Sequence, residues 1–245
     1  MKSPMLFVAA VSLVACASQP HPFSTAAAEK LKGRQVATTF RHPPGFTVTK
    51  PDTNNAYTFA LVGVAGAAVG TLVAQTELGA DLRREFGIDD PALSLSRELT
   101  NQFQRKYGLR LAPQPLAIRD EDPKQITATY PASDLILDLK TNHWSLQRIG
   151  GKTNGYQLTY VAELRIIDAK FIHALDGKKG MVIAHGTCKQ LSDATSDAPT
   201  YGEFLANGAE RLKQALDRAA RSCGENFRSK VLMANDRLTK SDGLD

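Results

Sequence analysis

Two segments of the sequence carry residue types and spacings that could do chemistry. Gly151-Lys152-Thr153 ends like a phosphate-binding loop, in which backbone N–H groups and a lysine hold phosphate oxygens. Such a loop also needs a glycine at position 146, where this chain has leucine, so we interpret the segment as a hairpin turn. Asp120-Glu121-Asp122 could offer carboxylate oxygens to a cation, although its place before Pro123 favours a solvated turn.

The remaining candidate groups form no recognisable catalytic or metal-binding pattern. The histidines have neither of the spacings that zinc enzymes use on a helix, and no G-x-S-x-G nucleophile segment occurs. We therefore predict no catalytic residues, no cofactor and no metal site. The runner-up hypothesis is an enzyme whose groups converge only in three dimensions. Its candidate groups are Asp120, Asp122, Asp138, His143 and His185.

Composition and length indicate one large folded domain with appendages. The 245 residues are 42% apolar and 22% charged, which excludes a disordered chain. Three cysteines are too few for a small protein built on disulfide bonds. The net charge of +5 is a mild excess, and the basic residues are scattered along the chain. We therefore predict no nucleic-acid partner.

The first sixteen residues have the organisation of a secretion signal. Lys2 precedes an apolar run from Met5 to Ala15, shorter than the roughly 20 residues that a membrane-spanning helix needs. The run ends in Leu13-Val14-Ala15-Cys16, which resembles the lipobox of bacterial lipoproteins. The alternative is an unmodified, buried cysteine in an N-terminal helix. The resemblance is to bacterial lipoproteins as a class, and it identifies no functional family.

The resemblance implies a processing event and a location. It implies cleavage before Cys16 and acylation of this residue with palmitate, so that acyl chains anchor the protein to a membrane. Ala17 and Ser18 stand where an aspartate would retain a lipoprotein in the inner membrane, which implies the outer membrane, facing the periplasm. The predicted organisation is a signal peptide over 1–15, a lipidated tether over 16–32, one domain over 33–233 and a flexible tail over 234–245.

Secretion would leave two cysteines in an oxidising compartment. With Cys16 acylated, Cys188 and Cys223 remain, and two thiols in the periplasm most simply form one disulfide bond. The bond would join a predicted strand to a predicted helix. The alternative is two unpaired structural cysteines, since no C-x-x-C spacing indicates redox chemistry.

Hydrophobic periodicity predicts the strands of a sheet. Apolar and polar residues alternate over 133–149 and over 156–167, and a third strand is predicted over 181–188. Alternation of this kind is typical of a sheet with one buried and one wetter face. The three segments therefore predict a three-stranded meander within an antiparallel or mixed sheet.

Two helices are predicted from their end signals. One begins at Asp90-Pro91 and ends at Gly108, and the other begins with a capping box formed by Thr200 and Glu203. Both carry apolar stripes at helical spacing. Helices packed on one face of the sheet complete a fold of the α+β class.

The unusual segment of the chain is the Gly/Ala-rich stretch 56–76, which contains 21 residues without a charge. Gly66 and Gly70 form a G-x-x-x-G pair, and Gly63 and Ala67 form another pair of small residues four apart, a spacing that lets two helices approach closely. Three interpretations stay open. The segment is buried in the domain, or it is an exposed helix that self-associates or lies on the membrane, or it spans the membrane.

These observations favour a non-catalytic function in the cell envelope. We expect a lipid-anchored α+β domain that binds or assembles with another envelope component or with a second copy of itself. The alternative is an envelope hydrolase, or a lipid-handling or transport accessory protein, with a site assembled only in three dimensions. If the candidate acidic and histidine residues line one deep pocket, the enzyme is favoured. If they scatter, the binding protein is favoured.

Overall fold

A mixed sheet flanked by helices forms an α+β fold. The computed structural model of the chain describes residues 20–24, 31–49, 65–113, 117–149, 154–170, 181–192 and 197–233. The strands are β1 (Gln35–Thr38), β2 (Phe40–Arg41), β3 (Thr47–Val48), β4 (Arg110–Leu111), β5 (Ala117–Ile118), β6 (Leu135–Arg148), β7 (Tyr156–Asp168) and β8 (Met181–Leu191). The helices are α1 (Ala65–Phe86), α2 (Ala92–Tyr107), α3 (Pro123–Thr129) and α4 (Tyr201–Phe227), followed by a π-helical turn, Arg228–Leu232.

The main sheet has six strands, of which five run in the order β4-β1-β6-β7-β8. The strands β6, β7 and β8 form the antiparallel meander that the alternating residues predicted. On the other side of β6 the pairing is parallel, first with β1 and further along with β3. Parallel strands β2 and β5 form a separate two-stranded sheet. The sheet is therefore mixed.

Both faces of the sheet are covered by helices. One face carries the main hydrophobic core, where residues such as Leu139, Trp144 and Leu164 pack beneath α2 and α4. The opposite face carries a smaller core, in which Ile126 of α3 packs on Ile136 and Ile167. Helices α2 and α4 thus share one face as predicted, but the prediction of helices on one face alone missed α3. This helix has only seven residues and too little periodicity to be recognised.

The predicted helix ends are present with small differences. The first residue of α2 is Ala92, and its N–H donates to the carboxylate of Asp90 at 3.0 Å. Gly108 ends that helix in the left-handed region at φ 63°. Thr200 and Glu203 form the predicted capping box of α4. A kink at 206–209, where four residues leave the helical region, was not predicted.

The segment predicted to be a tether over 16–32 is partly packed onto the domain. Phe23 is 2% exposed and meets the ring of Phe103 edge-on at 5.3 Å between centroids. Leu31 is fully buried. The backbone of His21 exchanges hydrogen bonds with that of His185 on the edge strand β8. The described residues of this segment, 20–24 and 31–32, therefore belong to the fold.

The Gly/Ala-rich stretch 56–76 contributes the first half of α1. Gly66 and Gly70 lie within this helix, whereas Gly63 lies outside the described residues. Among the described helices, none has the length and apolar character needed to cross a bilayer. Gly79, further along α1, approaches the backbone of Phe46 so closely that a Cβ would overlap its carbonyl oxygen. This part of α1 is packed inside the domain.

Candidate functional site

A break in the sheet creates a cavity in the described structure. The strand β1 pairs with β6 over 135–137 and β3 pairs with it over 145–146. Between these two strands the chain leaves the sheet, and Phe40–Arg41 pairs instead with β5. A cavity of about 650 Å³ lies between this crossing segment, β6 and the first half of α2. Its size is typical of sites for small ligands.

Apolar residues of the core form part of the cavity wall. Ile88, Leu139 and Leu216 line it, and each is at most 3% exposed. They come from the turn before α2, from β6 and from α4 respectively. Three separate elements therefore hold the wall in place, which makes the cavity a product of the tertiary fold.

A chain of hydrogen bonds runs from the core to the cavity wall. The Thr141 hydroxyl lies 2.7 Å from the Asp90 carboxylate and 3.2 Å from the Tyr160 hydroxyl. Because the Thr141 hydroxyl has one proton, it donates to the carboxylate and accepts from Tyr160. Burial raises the pKa of Asp90, although the bonds from Thr141 and the Ala92 N–H and the charge of Arg83 oppose the rise. Burial also raises the pKa of Tyr160.

Ser96 presents a buried polar atom to the same cavity. The residue is 1% exposed, it lines the cavity, and its hydroxyl oxygen has no hydrogen-bond partner. One turn later the Thr100 hydroxyl, in contrast, lies 2.8 Å from both the Ser96 carbonyl oxygen and the Thr38 hydroxyl. A buried hydroxyl without a partner costs free energy, about 1–3 kcal/mol. A ligand atom in the cavity would remove that cost.

The charges that line the cavity leave a small positive surplus. Asp217 is paired with Arg221 at 2.7 Å, and Arg83 stacks over the Trp144 ring while offsetting the charge of Asp90. Arg41 and Lys140 are held by carboxylates on the opposite face of the sheet.

Three charged residues of the lining remain without a partner among the described residues. They are two cations, Arg97 and Lys213, and one carboxylate, Asp89. The balance of two positive charges against one negative charge favours an anionic group in the cavity.

The opposite face of the sheet holds a closed network of charges. Asp138 has no exposed side-chain surface, and it accepts hydrogen bonds from Thr39, Arg41 and Arg165 at 2.6–3.0 Å. Burial alone would raise the pKa of Asp138, but the bonds and charges of the two arginines and the Thr39 bond outweigh it, so the pKa is lowered. Glu121 bridges both arginines and Lys140 from outside. The network is internally satisfied and offers no free carboxylate.

The candidate acidic and histidine residues do not come together. Asp122 caps α3, and Asp138 is enclosed by the arginines. The Nε2 atom of His143 lies 3.0 Å from the Ser145 hydroxyl oxygen. Burial lowers the pKa of His143, and the charge of Lys189 lowers it further. The ring of His185, which lies on β8, stacks on the ring of His21. The described structure therefore does not bring these groups together in one pocket.

Several predicted sites lie partly or wholly outside the described residues. Cys16 and Gly63 are not described, and neither is the tail 234–245. Gly151-Lys152-Thr153 also lies outside the described residues. The residues that flank it are described, and the Ile149 N–H donates to the Gly155 carbonyl oxygen at 2.9 Å. That bond fits the interpretation as a hairpin. Within the described ranges, no group of three or more His, Cys, Asp or Glu residues is placed to hold a metal ion.

The predicted disulfide bond is present. Cys188 on β8 is joined to Cys223 on α4, with their Cα atoms 5.5 Å apart. Both residues are almost fully buried, at 2% and 0% exposure. The bond fixes the long helix to the edge strand of the meander.

Sequence analysis missed the residues that define the cavity. Ser96, Arg97 and Lys213 were not singled out, and Asp90 was recognised only as a helix cap. One signal was present, since Ser96 and Thr100 lie one turn apart within the apolar stripe of α2. Polar residues at core positions require partners. The cations carried no such signal, because a charge on a helix surface is usually solvated.

Comparisons with known proteins show distant likenesses in structure alone. No family model matches the sequence, and neither does any curated protein. A hypothetical protein from Chlamydia trachomatis shares 11% identity at a TM-score of 0.38, covering 83% of this chain and 99% of that one.

Two further solved structures lie at a similar distance. A Xanthomonas campestris protein of the DUF330 family shares 11% identity at a TM-score of 0.34, with 85% of this chain and 90% of that one covered. Lipoprotein GNA1162 from Neisseria meningitidis shares 11% identity at a TM-score of 0.26, with coverage of 79% and 99%. Likenesses at this level assign neither a family nor a function to the chain.

Proposed function

We propose that this protein is a non-catalytic binding component of the bacterial cell envelope, anchored to the outer membrane through acyl chains on Cys16 and facing the periplasm. The observation that carries the proposal is the cavity beside α2. It has an apolar wall, a buried hydroxyl without a partner at Ser96, and unpaired cations at Arg97 and Lys213. These are features of a binding site.

The disulfide bond supports the envelope location. Cys188 and Cys223 are buried and joined, and disulfide bonds persist in oxidising compartments such as the periplasm. The lipobox-like sequence at Cys16 agrees with this address. Each acyl methylene buried in the bilayer contributes about 0.8 kcal/mol to membrane binding, so two or three acyl chains on one residue hold a protein stably on a membrane.

The arrangement of the candidate catalytic groups argues against the hydrolase alternative. The Asp138 carboxylate accepts five hydrogen bonds and has no exposed surface from which to act as a base. Ser96, Asp90 and His42 all line the cavity, but within the described residues no base is hydrogen-bonded to the Ser96 hydroxyl to activate it. A binding function uses the same groups without a chemical step.

The location is tested with the Cys16→Ser variant in cells grown with labelled palmitate. We expect the wild type to be labelled and to fractionate with the outer membrane, and the variant to be unlabelled and either unprocessed or released. Equal labelling of the two proteins would contradict the anchoring.

The binding function is tested by photocrosslinking in intact cells. A photoreactive amino acid is placed at position 97, at the cavity, and in a second strain at position 105, an exposed site on the same helix outside the cavity lining. We expect mass spectrometry to identify an envelope molecule attached at position 97 and not at position 105. Absence of a crosslink at position 97, or the same products at both positions, would contradict the proposal.

A further inference from the structure

The cavity beside α2 is lined by polar groups that the fold itself does not use. The charged groups around Asp138 are paired with one another, and the polar groups from Tyr160 to Asp90 are joined by hydrogen bonds. The cavity groups Ser96, Arg97 and Lys213 have no such explanation, since none has a partner among the described residues. The ligand of the cavity is therefore inferred from these three side chains and the wall beside them.

We propose that the cavity binds an anionic amphiphile, whose charged head contacts Arg97, Lys213 and the Ser96 hydroxyl and whose apolar chain lies on Phe40, Pro43 and Leu93. This inference rests on the proposed binding function and names its class of ligand. The head is a phosphate or a carboxylate, both of which accept hydrogen bonds from guanidinium, ammonium and hydroxyl groups.

The charge balance selects an anion over a cation. Asp217 is neutralised by Arg221, and the partly buried carboxylate of Asp90 already accepts hydrogen bonds from Thr141 and the Ala92 N–H. A cationic ligand would have Asp89 as its one unpaired partner and would meet Arg97 and Lys213 as like charges. An anionic head meets two opposite charges and one like charge.

The apolar wall selects an amphiphile over a free anion. Phe40, Pro43 and Leu93 line the cavity and are half-buried, so they leave apolar surface in contact with water. A hydrocarbon chain displaces that water and adds affinity in proportion to the apolar area covered. A free phosphate ion would leave this wall wet.

The sequence provides its own optical reporter for the site. Trp144 is the single tryptophan of the chain, it is fully buried, and Arg83 of the cavity lining stacks over its ring at 4.9 Å. A ligand that enters the cavity displaces solvent around Arg83 and alters the surroundings of the indole. Trp144 fluorescence therefore provides a second readout of binding near Arg83, beside calorimetry.

The experiment uses the lipidated full-length protein in phosphatidylcholine vesicles, titrated with octyl phosphate below its micelle concentration. Calorimetry measures affinity and Trp144 fluorescence locates the binding. Inorganic phosphate tests the head alone, and octyl glucoside tests the chain with a neutral head. We expect octyl phosphate to bind at least tenfold more tightly than either control. Equal binding of inorganic phosphate, or of octyl glucoside, would overturn the assignment.

Matched variants test the three residues. Arg97→Glu and Lys213→Glu should each weaken octyl phosphate binding by about tenfold or more, because a charge-assisted bond is lost. Arg105→Glu makes the same charge change on the same helix outside the cavity, and it should leave the affinity within about twofold. A uniform loss in all three variants would overturn the site, since it would show only a long-range charge effect.

Ser96→Ala separates binding from folding. Removing a buried hydroxyl that has no partner should leave the melting temperature unchanged or raise it, while octyl phosphate binds roughly two- to tenfold more weakly. Unchanged affinity in this variant would overturn the role of Ser96.

The ligand class and the envelope function can fail separately. Octyl phosphate binding without crosslinks in cells would contradict only the envelope function. Crosslinks at position 97 without octyl phosphate binding would contradict only the ligand class.

Discussion

Asp138 on β6 and Arg165 on β7 are directly opposed in the antiparallel register, and the Arg165 Nη2 atom lies 2.6 Å from the Asp138 Oδ2 atom. Arg41 approaches the same carboxylate from β2, with its Nε atom 2.6 Å from Oδ1. The buried carboxylate thus links the meander to the segment that crosses the break in the sheet. Since that segment also forms one wall of the cavity, the network on one face fixes the site on the other.

The first prediction concerns this carboxylate. Asp138→Asn should lower the free energy of unfolding by about 3–5 kcal/mol, because it leaves two arginines without their buried partner. Glu121→Gln is the matched control, since Glu121 contacts the same arginines but its side chain is 59% exposed. Its effect should stay below about 1 kcal/mol. Urea denaturation measures both, and equal effects of the two substitutions would contradict the assigned role of Asp138.

The pH dependence of stability follows from the lowered pKa of Asp138. In the unfolded chain the carboxyl titrates near its ordinary value of about 3.9, and in the folded protein it stays ionised to lower pH. Its contribution is therefore present above that value and is lost as the pH falls through the folded pKa. The wild type should lose its advantage over Asp138→Asn in that acid range, as thermal melts between pH 2 and 7 would show.

Asp90 is predicted to behave in the opposite way. Its folded pKa is raised by burial, so the folded state holds the proton to higher pH than the unfolded chain does. Stability should fall as the pH rises from about 3.9 through the folded pKa. Asp90→Asn keeps an oxygen for the Ala92 N–H and for Thr141, and it should be more stable than the wild type at neutral pH. A variant that is less stable than the wild type at pH 7 would refute this.

The strand pattern was predictable because alternation reports which face of a sheet each residue occupies. It placed Asp138 opposite Leu137 and Leu139 correctly, but it could not show that Asp138 is fully buried. The side chains that enclose it include Arg41, which lies 97 residues earlier in the chain. Partners from so far away leave no local signal.

The candidate site was hidden for the same reason. The cavity exists because β1 and β3 pair with β6 at two separate places, a register that no local pattern encodes. The disulfide bond, in contrast, was predictable by counting, since only two cysteines remain once Cys16 is assigned to acylation. A disulfide bond can be predicted from sequence when only two cysteines are available to form it. A cavity whose walls come from several distant segments cannot be predicted in this way.

The fourth prediction concerns the disulfide bond. Mass mapping without reductant should recover the peptides of Cys188 and Cys223 as a linked pair. The double variant Cys188→Ala, Cys223→Ala should lose about 2–4 kcal/mol of stability, because the bond closes a loop with a sequence separation of 35. For a chain of this size the melting temperature should fall by roughly 4–16 °C. Reductant should destabilise the wild type but not the double variant.

The last prediction tests how α1 is packed. A Cβ at Gly79 would overlap the carbonyl oxygen of Phe46, and a backbone atom cannot turn aside as a flexible side chain can. Gly79→Ala should therefore cost about 1–3 kcal/mol or more, although alanine is the better helix former. Gly202→Ala in α4 is the matched control, because nothing lies within 4 Å of its Cβ position, and it should leave stability unchanged or slightly higher. If both variants melt with the wild type, α1 does not pack against Phe46, and the assignment of this part of α1 to the inside of the domain loses its support.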